Sequence, residues 1–280
     1  YEMADDFKMG RYFCWRELVL TPGAELQSLR QILLAAAKMP QSFRIYGKIR
    51  DFVPDGEVVR RKKEFFDQPE EVMLLLLDID GWATDIEWWL SEEKLQDALY
   101  SLLKERGLDY LIGADCVCML SQGAWPGKKL KCHLYFWMDR PITNFDMLRA
   151  WAKAVNARLE YKALDPIVYG EVHIDYITRR KCLGFDDPFT NERRVTLFTG
   201  DGLADIASGI EEELKAAGWE ENNPMPASLA DETITFDGDG WEMVTRAGTD
   251  GRINDWLYPA AARIVSAMGG KAARADLDNL

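Results

Sequence analysis

The period of apolar positions changes several times along the chain, and each change predicts an element. Residues 25–38 set Leu26, Leu29, Leu33, Ala36 and Ala37 at helical spacing, and 43–49 alternates as a strand with Phe43, Ile45, Gly47 and Ile49 on one face. The longest apolar run, 72–77, passes directly into Asp78, Ile79, Asp80 and Gly81. Such a run predicts a buried central strand that delivers its last residues to a sheet edge. Ser91 is placed to cap a helix reaching about Arg106, with Glu92 and Glu93 in its first turn and Gly107 as its stop. Residues 111–120 and 131–138 read as strands on either side of a polar loop bearing glycine and proline. Asn144 can cap a helix to about Tyr161, after which Leu164, Asp165 and Pro166 enforce an end. Shorter strands are predicted near 171–177 and 195–199, and a helix after Gly202 sets Leu203, Ile206, Ala207, Ile210 and Leu214 opposite Glu211, Glu212 and Glu213. A last stripe, built on Ile253, Trp256, Leu257, Ile264 and Met268, predicts a terminal helix. Strands alternating with helices over short and long connections predict an α+β fold. It divides into a core over 1–204, an acidic helix and linker over 205–248, and a helical segment over 249–280.

Length and charge narrow the class. The 280 residues are 48% hydrophobic, enough for one large domain or two ordinary ones. The longest apolar run falls far short of the ~20 residues of a membrane span, and no charged-then-apolar leader opens the chain, so a soluble cytoplasmic protein with no membrane partner is expected. Tyr1 stands where a methionine would, which reads as a fragment of something longer. Five cysteines, at 14, 116, 118, 132 and 182, are an odd number in a chain that needs no staples, and reduced thiols follow. The net charge of −13 argues at first against a polyanionic partner. Residues 205–245 alone carry 11 acids and one base, however, so the other 239 share only −3, and bases gather at 60–63, 128–131 and 179–181. Nucleic acid therefore stays open as a partner, bound weakly and with strong salt dependence.

Three positions carry candidate chemistry. Asp78 and Asp80 lie two apart on one predicted strand, so both carboxylates leave the same face, an arrangement suited to a hard divalent cation; a solvated strand end before a glycine turn would give the same pair. Lys131 and His133 share a face of a later strand by the same alternation, presenting a fixed cation beside an imidazole. Asp165 follows the long helix, where a turn aspartate is also common. Residues 40–63 hold seven bases against three acids, with Tyr46 and Phe52 interleaved; Arg44, Lys48, Arg60, Arg61 and Lys62 form either a template-binding strip or a solvated basic loop.

An apolar strand ending in Asp78-x-Asp80, then a strand bearing His133, then an apolar residue before Asp165, resembles in order and spacing the three motifs of the archaeo-eukaryotic primase superfamily. The resemblance covers roughly residues 45–200 and extends to the stretch from Gly170 through Arg179, Arg180, Asp187 and Arg193. It implies a primase-polymerase core of two packed α/β modules with an RRM-like sheet, the two motif strands side by side. Asp78, Asp80 and Asp165 would hold two magnesium or manganese ions, and His133 would contact the incoming triphosphate, with Lys131, Ser121, Arg179 and Arg180 also on the nucleotide. The implied partners are a single-stranded DNA template, nucleoside triphosphates and a replicative helicase in cis or in trans, in the replication of a phage, plasmid or mobile element. Lys131 departs from the small hydroxyl residue that usually opens the second motif. Asp175, also an aspartate after an apolar residue, competes with Asp165 for the third acid, and Asp165 is favoured.

Two other readings stand. A haloacid-dehalogenase-like phosphatase would use Asp78 as nucleophile, Asp80 as general acid and Asp186 with Asp187 as metal ligands; Trp82 after Gly81 departs from that motif, and His133 has no role in it. A non-catalytic primase-like module would bind nucleic acid or a replication partner instead.

Overall fold

The computed structural model describes residues 19–39, 42–53, 62–178, 182, 186–200 and 204–219, together with the backbone of two strands, β1 (Tyr12–Cys14) and β4 (Val58–Arg60), which pair with each other. The chain divides into two units, Tyr1–Ala230 and Asp231–Leu280, and the described residues belong to the first. The terminal helix expected around 253–268 lies outside them.

The fold is α+β and its sheets are antiparallel. Its centre is a four-stranded sheet in the order β10-β7-β8-β6, formed by β6 (Val72–Trp82), β7 (Cys116–Leu120), β8 (Leu130–Ile142) and β10 (Val195–Phe198). Leu75, Leu77 and Ile79 on one face of β6 are buried, and Leu76 on the other face is buried as well. β6 is an edge strand of this sheet rather than the central strand expected; both its faces are nonetheless covered, which is why 72–77 reads as one unbroken apolar run. Helix α1 (Glu25–Ala36) packs on β7 and β10, while α3 (Phe145–Leu159) and α5 (Ile206–Ala216) pack on each other and α5 also on β8. Cys116, Cys118 and Cys132 are buried inside this core as free thiols, and burial pushes Cys116 up to about 12. They are packing residues, inert as nucleophiles at neutral pH.

Helix ends fall where their chemistry requires. Ser91 Oγ accepts the Lys94 N–H at 3.1 Å at the head of α2 (Glu92–Glu105), and Gly107, at φ +62°, ends it. Ser91→Ala should therefore cost about 1 kcal/mol, read by urea denaturation; an unchanged midpoint would remove the cap from the account. Asn144 caps α3 by accepting the Asp146 N–H. The acids of α5 are used internally: Glu211 takes both Nη atoms of Arg140 at 2.7 and 2.6 Å, and Glu213 takes Arg158 Nε at 2.6 Å. Part of the negative charge of 205–245 is thus met by bases of β8 and α3.

The strand expected over 43–49 is broken. β2 (Phe43–Ile45) pairs with β9 (Ile174–Tyr176), and β3 (Lys48–Ile49) with β5 (Phe66–Asp67). Gly47 lies at the break, where a Cβ would stand 2.3 Å from the Glu171 carbonyl oxygen. The strand expected over 111–120 is likewise shorter, because 3-10 turn Asp109–Leu111 occupies its start and β7 begins at Cys116. A four-residue helix, α4 (Asn191–Arg194), leads into β10.

Candidate functional site

Cross-strand register builds the first half of the site. In the β6–β8 pair Asp78 stands opposite His133 and Asp80 opposite Lys131, so two acids and two bases share one face of the sheet. Lys131 Nζ lies 2.6 Å from Asp80 Oδ1, and His133 Nε2 lies 3.4 Å from Asp78 Oδ1. Beyond Asp80 the register shifts at Gly81, whose φ is +96°, and the ladder resumes with Trp82 opposite Leu130. Ser121 follows β7, its N–H donating to the Lys131 carbonyl at 3.0 Å.

Three element ends then enclose a cleft of about 430 Å³. Asp78, Asp80, Gly81 and Trp82 come from the end of β6 with Ala83 just after it, Glu105 and Arg106 from the end of α2, and Tyr161 to Asp165 from the segment after α3. All three sequence-derived acids, Asp78, Asp80 and Asp165, line it. Asp165 caps the 3-10 turn Pro166–Tyr169 by accepting the Ile167 N–H at 3.1 Å, with Lys162 Nζ 3.4 Å away. Three carboxylates on one cleft are the oxygen donor set that magnesium or manganese takes. Among the described residues no three His, Cys, Asp or Glu side chains are gathered closely enough to hold an ion as they stand, and Asp80 and Asp165 are each met by a lysine ammonium instead.

The same sheet face carries a buried charge network centred on Asp175, which is 5% exposed. Its Oδ1 is 2.8 Å from His133 Nδ1, off the line of a regular hydrogen bond. Its Oδ2 accepts Tyr135 Oη–H at 2.6 Å and lies 3.3 Å from Arg44 Nε. Arg44 in turn stacks on Tyr46, 4.2 Å from the ring centre, and Tyr46 donates to the Leu74 carbonyl at 2.7 Å. Burial by itself would pull the His133 pKa down; the Asp175 charge, joined by Asp78, outweighs it and raises the imidazole to about 10. Burial would push Asp175 up, and the positive His133 and Arg44 hold it well below the ordinary carboxylate range instead. His133 is thus an imidazolium at neutral pH, its Nδ1 beside Asp175 and its Nε2 beside Asp78.

The other sequence-derived residues separate. Arg44 is spent in the Asp175 network rather than on an open basic strip, while Lys48 and Lys62 are exposed and Lys62 sits 3.4 Å from Glu64. Arg60 is described only as a backbone position of β4, and Arg61, Arg179 and Arg180 lie outside the described residues. Asp186 and Asp187 are exposed and do not line the cleft, and Asp187 caps a turn by accepting the Phe189 N–H. Sequence reasoning passed over Tyr135, although its place two residues after His133 on the same face was available from alternation. It also passed over Glu105, Arg106, Tyr161 and Lys162, for which no local signal exists. No family model, curated protein or solved structure matches the chain.

Proposed function

We propose that this protein is a template-directed nucleotidyltransferase, a primase-polymerase whose α+β core is of the archaeo-eukaryotic primase type. The observation that carries the reading is the convergence of Asp78, Asp80 and Asp165 on one cleft, with His133 and Lys131 directly across the strand pair from the first two acids. In this reading Asp78, Asp80 and Asp165 hold the divalent cations, exchanging lysine ammonium groups for them. The cations would supply the charge that activates a 3′ hydroxyl and neutralises a departing pyrophosphate. His133 brings a fixed positive charge and an Nε2–H donor to the cleft side of the sheet, kept in that state by Asp175. Such a donor suits a phosphate oxygen that gains charge during transfer. Ser121 and Lys131 flank it, and the exposed Lys48 and Lys62 are left to a single-stranded template. The implied partners remain single-stranded DNA, nucleoside triphosphates and a helicase in cis or in trans.

Incubation with single-stranded DNA, nucleotides and magnesium or manganese should give short products or primer extension that Asp78→Ala/Asp80→Ala abolishes. Absence of product from the wild type sinks catalysis and leaves a nucleic-acid-binding module. Hydrolysis of a small phosphomonoester that Asp78→Asn removes would point to the phosphatase chemistry instead.

A further inference from the structure

Arg106 caps the C-terminal end of α2 and lines the same cleft as the three acids, yet it is only 5% exposed. Its Nε and Nη1 are buried and have no hydrogen-bond partner. Among the described residues no carboxylate forms an ion pair with it; the charge of Glu105 favours the guanidinium, but Glu105 Oε2 accepts the Trp82 indole N–H at 3.0 Å. Tyr161, which lines the same cleft, lies near enough to favour the guanidinium. A guanidinium is always protonated, and removing one from water without a counter-ion is costly. Burial accordingly works against its charge. Its neighbours Glu105 and Tyr161 offset this only in part, so the residue reads as kept for an anion that arrives in the cleft.

We propose that Arg106 is an anion-binding residue of the cleft, receiving a phosphate group of the nucleoside triphosphate that binds there; the identity of the ligand rests on the nucleotidyl-transfer reading above. The chemistry of the lining favours this class. Three carboxylates with Glu105 would repel a bare anion, whereas a polyphosphate carrying its own divalent cation offers positive charge to the acids and oxygens to Arg106 and Lys162. The guanidinium fork matches two oxygens of one phosphate. A cleft of about 430 Å³ also lies within the small-molecule range rather than the dimensions of an extended strand groove.

The test uses the full chain and its Arg106→Met and Arg106→Lys variants. Calorimetric affinities would be measured for deoxyadenosine triphosphate, inorganic tripolyphosphate and a short single-stranded oligonucleotide, each with calcium, alongside thermal unfolding of the free proteins. The expected result is that Arg106→Met weakens both polyphosphates by at least about tenfold, the loss of a charged hydrogen bond. Its melting temperature should be unchanged or raised, because an unpaired buried charge has gone, and oligonucleotide affinity should change less. Arg106→Lys should fall between the two, and it decides alone if the methionine variant does not fold. Wild-type affinity in a folded variant, or a lowered melting temperature with affinity intact, overturns the proposal and makes Arg106 a structural residue. A loss confined to the oligonucleotide overturns the ligand class in favour of a template phosphodiester. If the wild type extends primers while Arg106→Met binds triphosphate normally, only this inference fails; if the wild type neither binds triphosphate nor extends primers, the parent reading fails with it.

Discussion

Asp175→Ala should destabilise the protein by about 3–5 kcal/mol, the range for removing one partner of a buried ion pair. The carboxylate is 5% exposed and is the counter-charge for both His133 and Arg44 as well as the acceptor for Tyr135. Without it, His133 keeps only the more distant Asp78 and Arg44 only the rings of Tyr46 and Tyr135, so the main counter-charge of both buried groups is gone. Asp175→Asn keeps the shape and isolates the charge. Its effect should depend on pH. The His133 pKa is raised from 6.5 to about 10, so its stabilisation is present in full below pH 6.5 and is lost as pH rises towards 10. Asp175 is depressed from 3.8, so its contribution is present above that value and disappears in acid. The difference between wild type and Asp175→Asn in urea denaturation should therefore be largest between about pH 4 and 6.5 and should shrink towards pH 10, the Arg44 pairing leaving a remainder. A pH-independent difference, or none, would mean that the network does not hold its charges as described.

On the proposed nucleotidyl-transfer reading, Asp165→Ala should behave in the opposite way, losing nucleotide incorporation by about a thousandfold or more while the fold survives. A catalytic cation ligand contributes several kcal/mol to the transition state, each 1.36 kcal/mol being tenfold in rate. As a structural residue Asp165 contributes only the cap of a four-residue turn and a partly exposed pairing with Lys162, together worth about 1 kcal/mol. Single-turnover primer extension beside a thermal melt separates the two roles. A folded, fully active Asp165→Ala protein would remove the third acid from this position. The two substitutions thus distinguish an acid that faces a ligand from one that holds the sheet face together, although both follow an apolar residue in the sequence.

Much of the architecture was legible because its physics is local. Continuous apolarity marked β6, alternation marked β8, and the caps at Ser91 and Asn144 marked α2 and α3 within a residue or two. The misreadings have tertiary causes. Alternation runs through 43–49, but the close approach of Glu171 at Gly47 divides it into strands with different partners. An apolar start at Leu111 resembles strand, but the chain turns there and its side chain serves the core from a 3-10 turn. Within the site, the shared faces of Asp78 with Asp80 and of Lys131 with His133 follow from a period of two. Arg44 counted as one more surface base because sequence contains no sign of the carboxylate it meets 131 residues later.

The sequence by itself determined the longer strands and helices and which of their side chains share a face, since both depend on neighbours within a few positions. Only the tertiary structure decided that β6 and β8 are adjacent in a register that sets Asp78 opposite His133, and that Asp165 closes the same cleft. It alone decided that Asp175 faces inward against His133 and that Nε and Nη1 of Arg106 are buried without a hydrogen-bond partner. Charge chemistry depends on distance and exposure, and the pairs that matter here lie from about 40 to more than 130 residues apart in the chain, where no local period reaches.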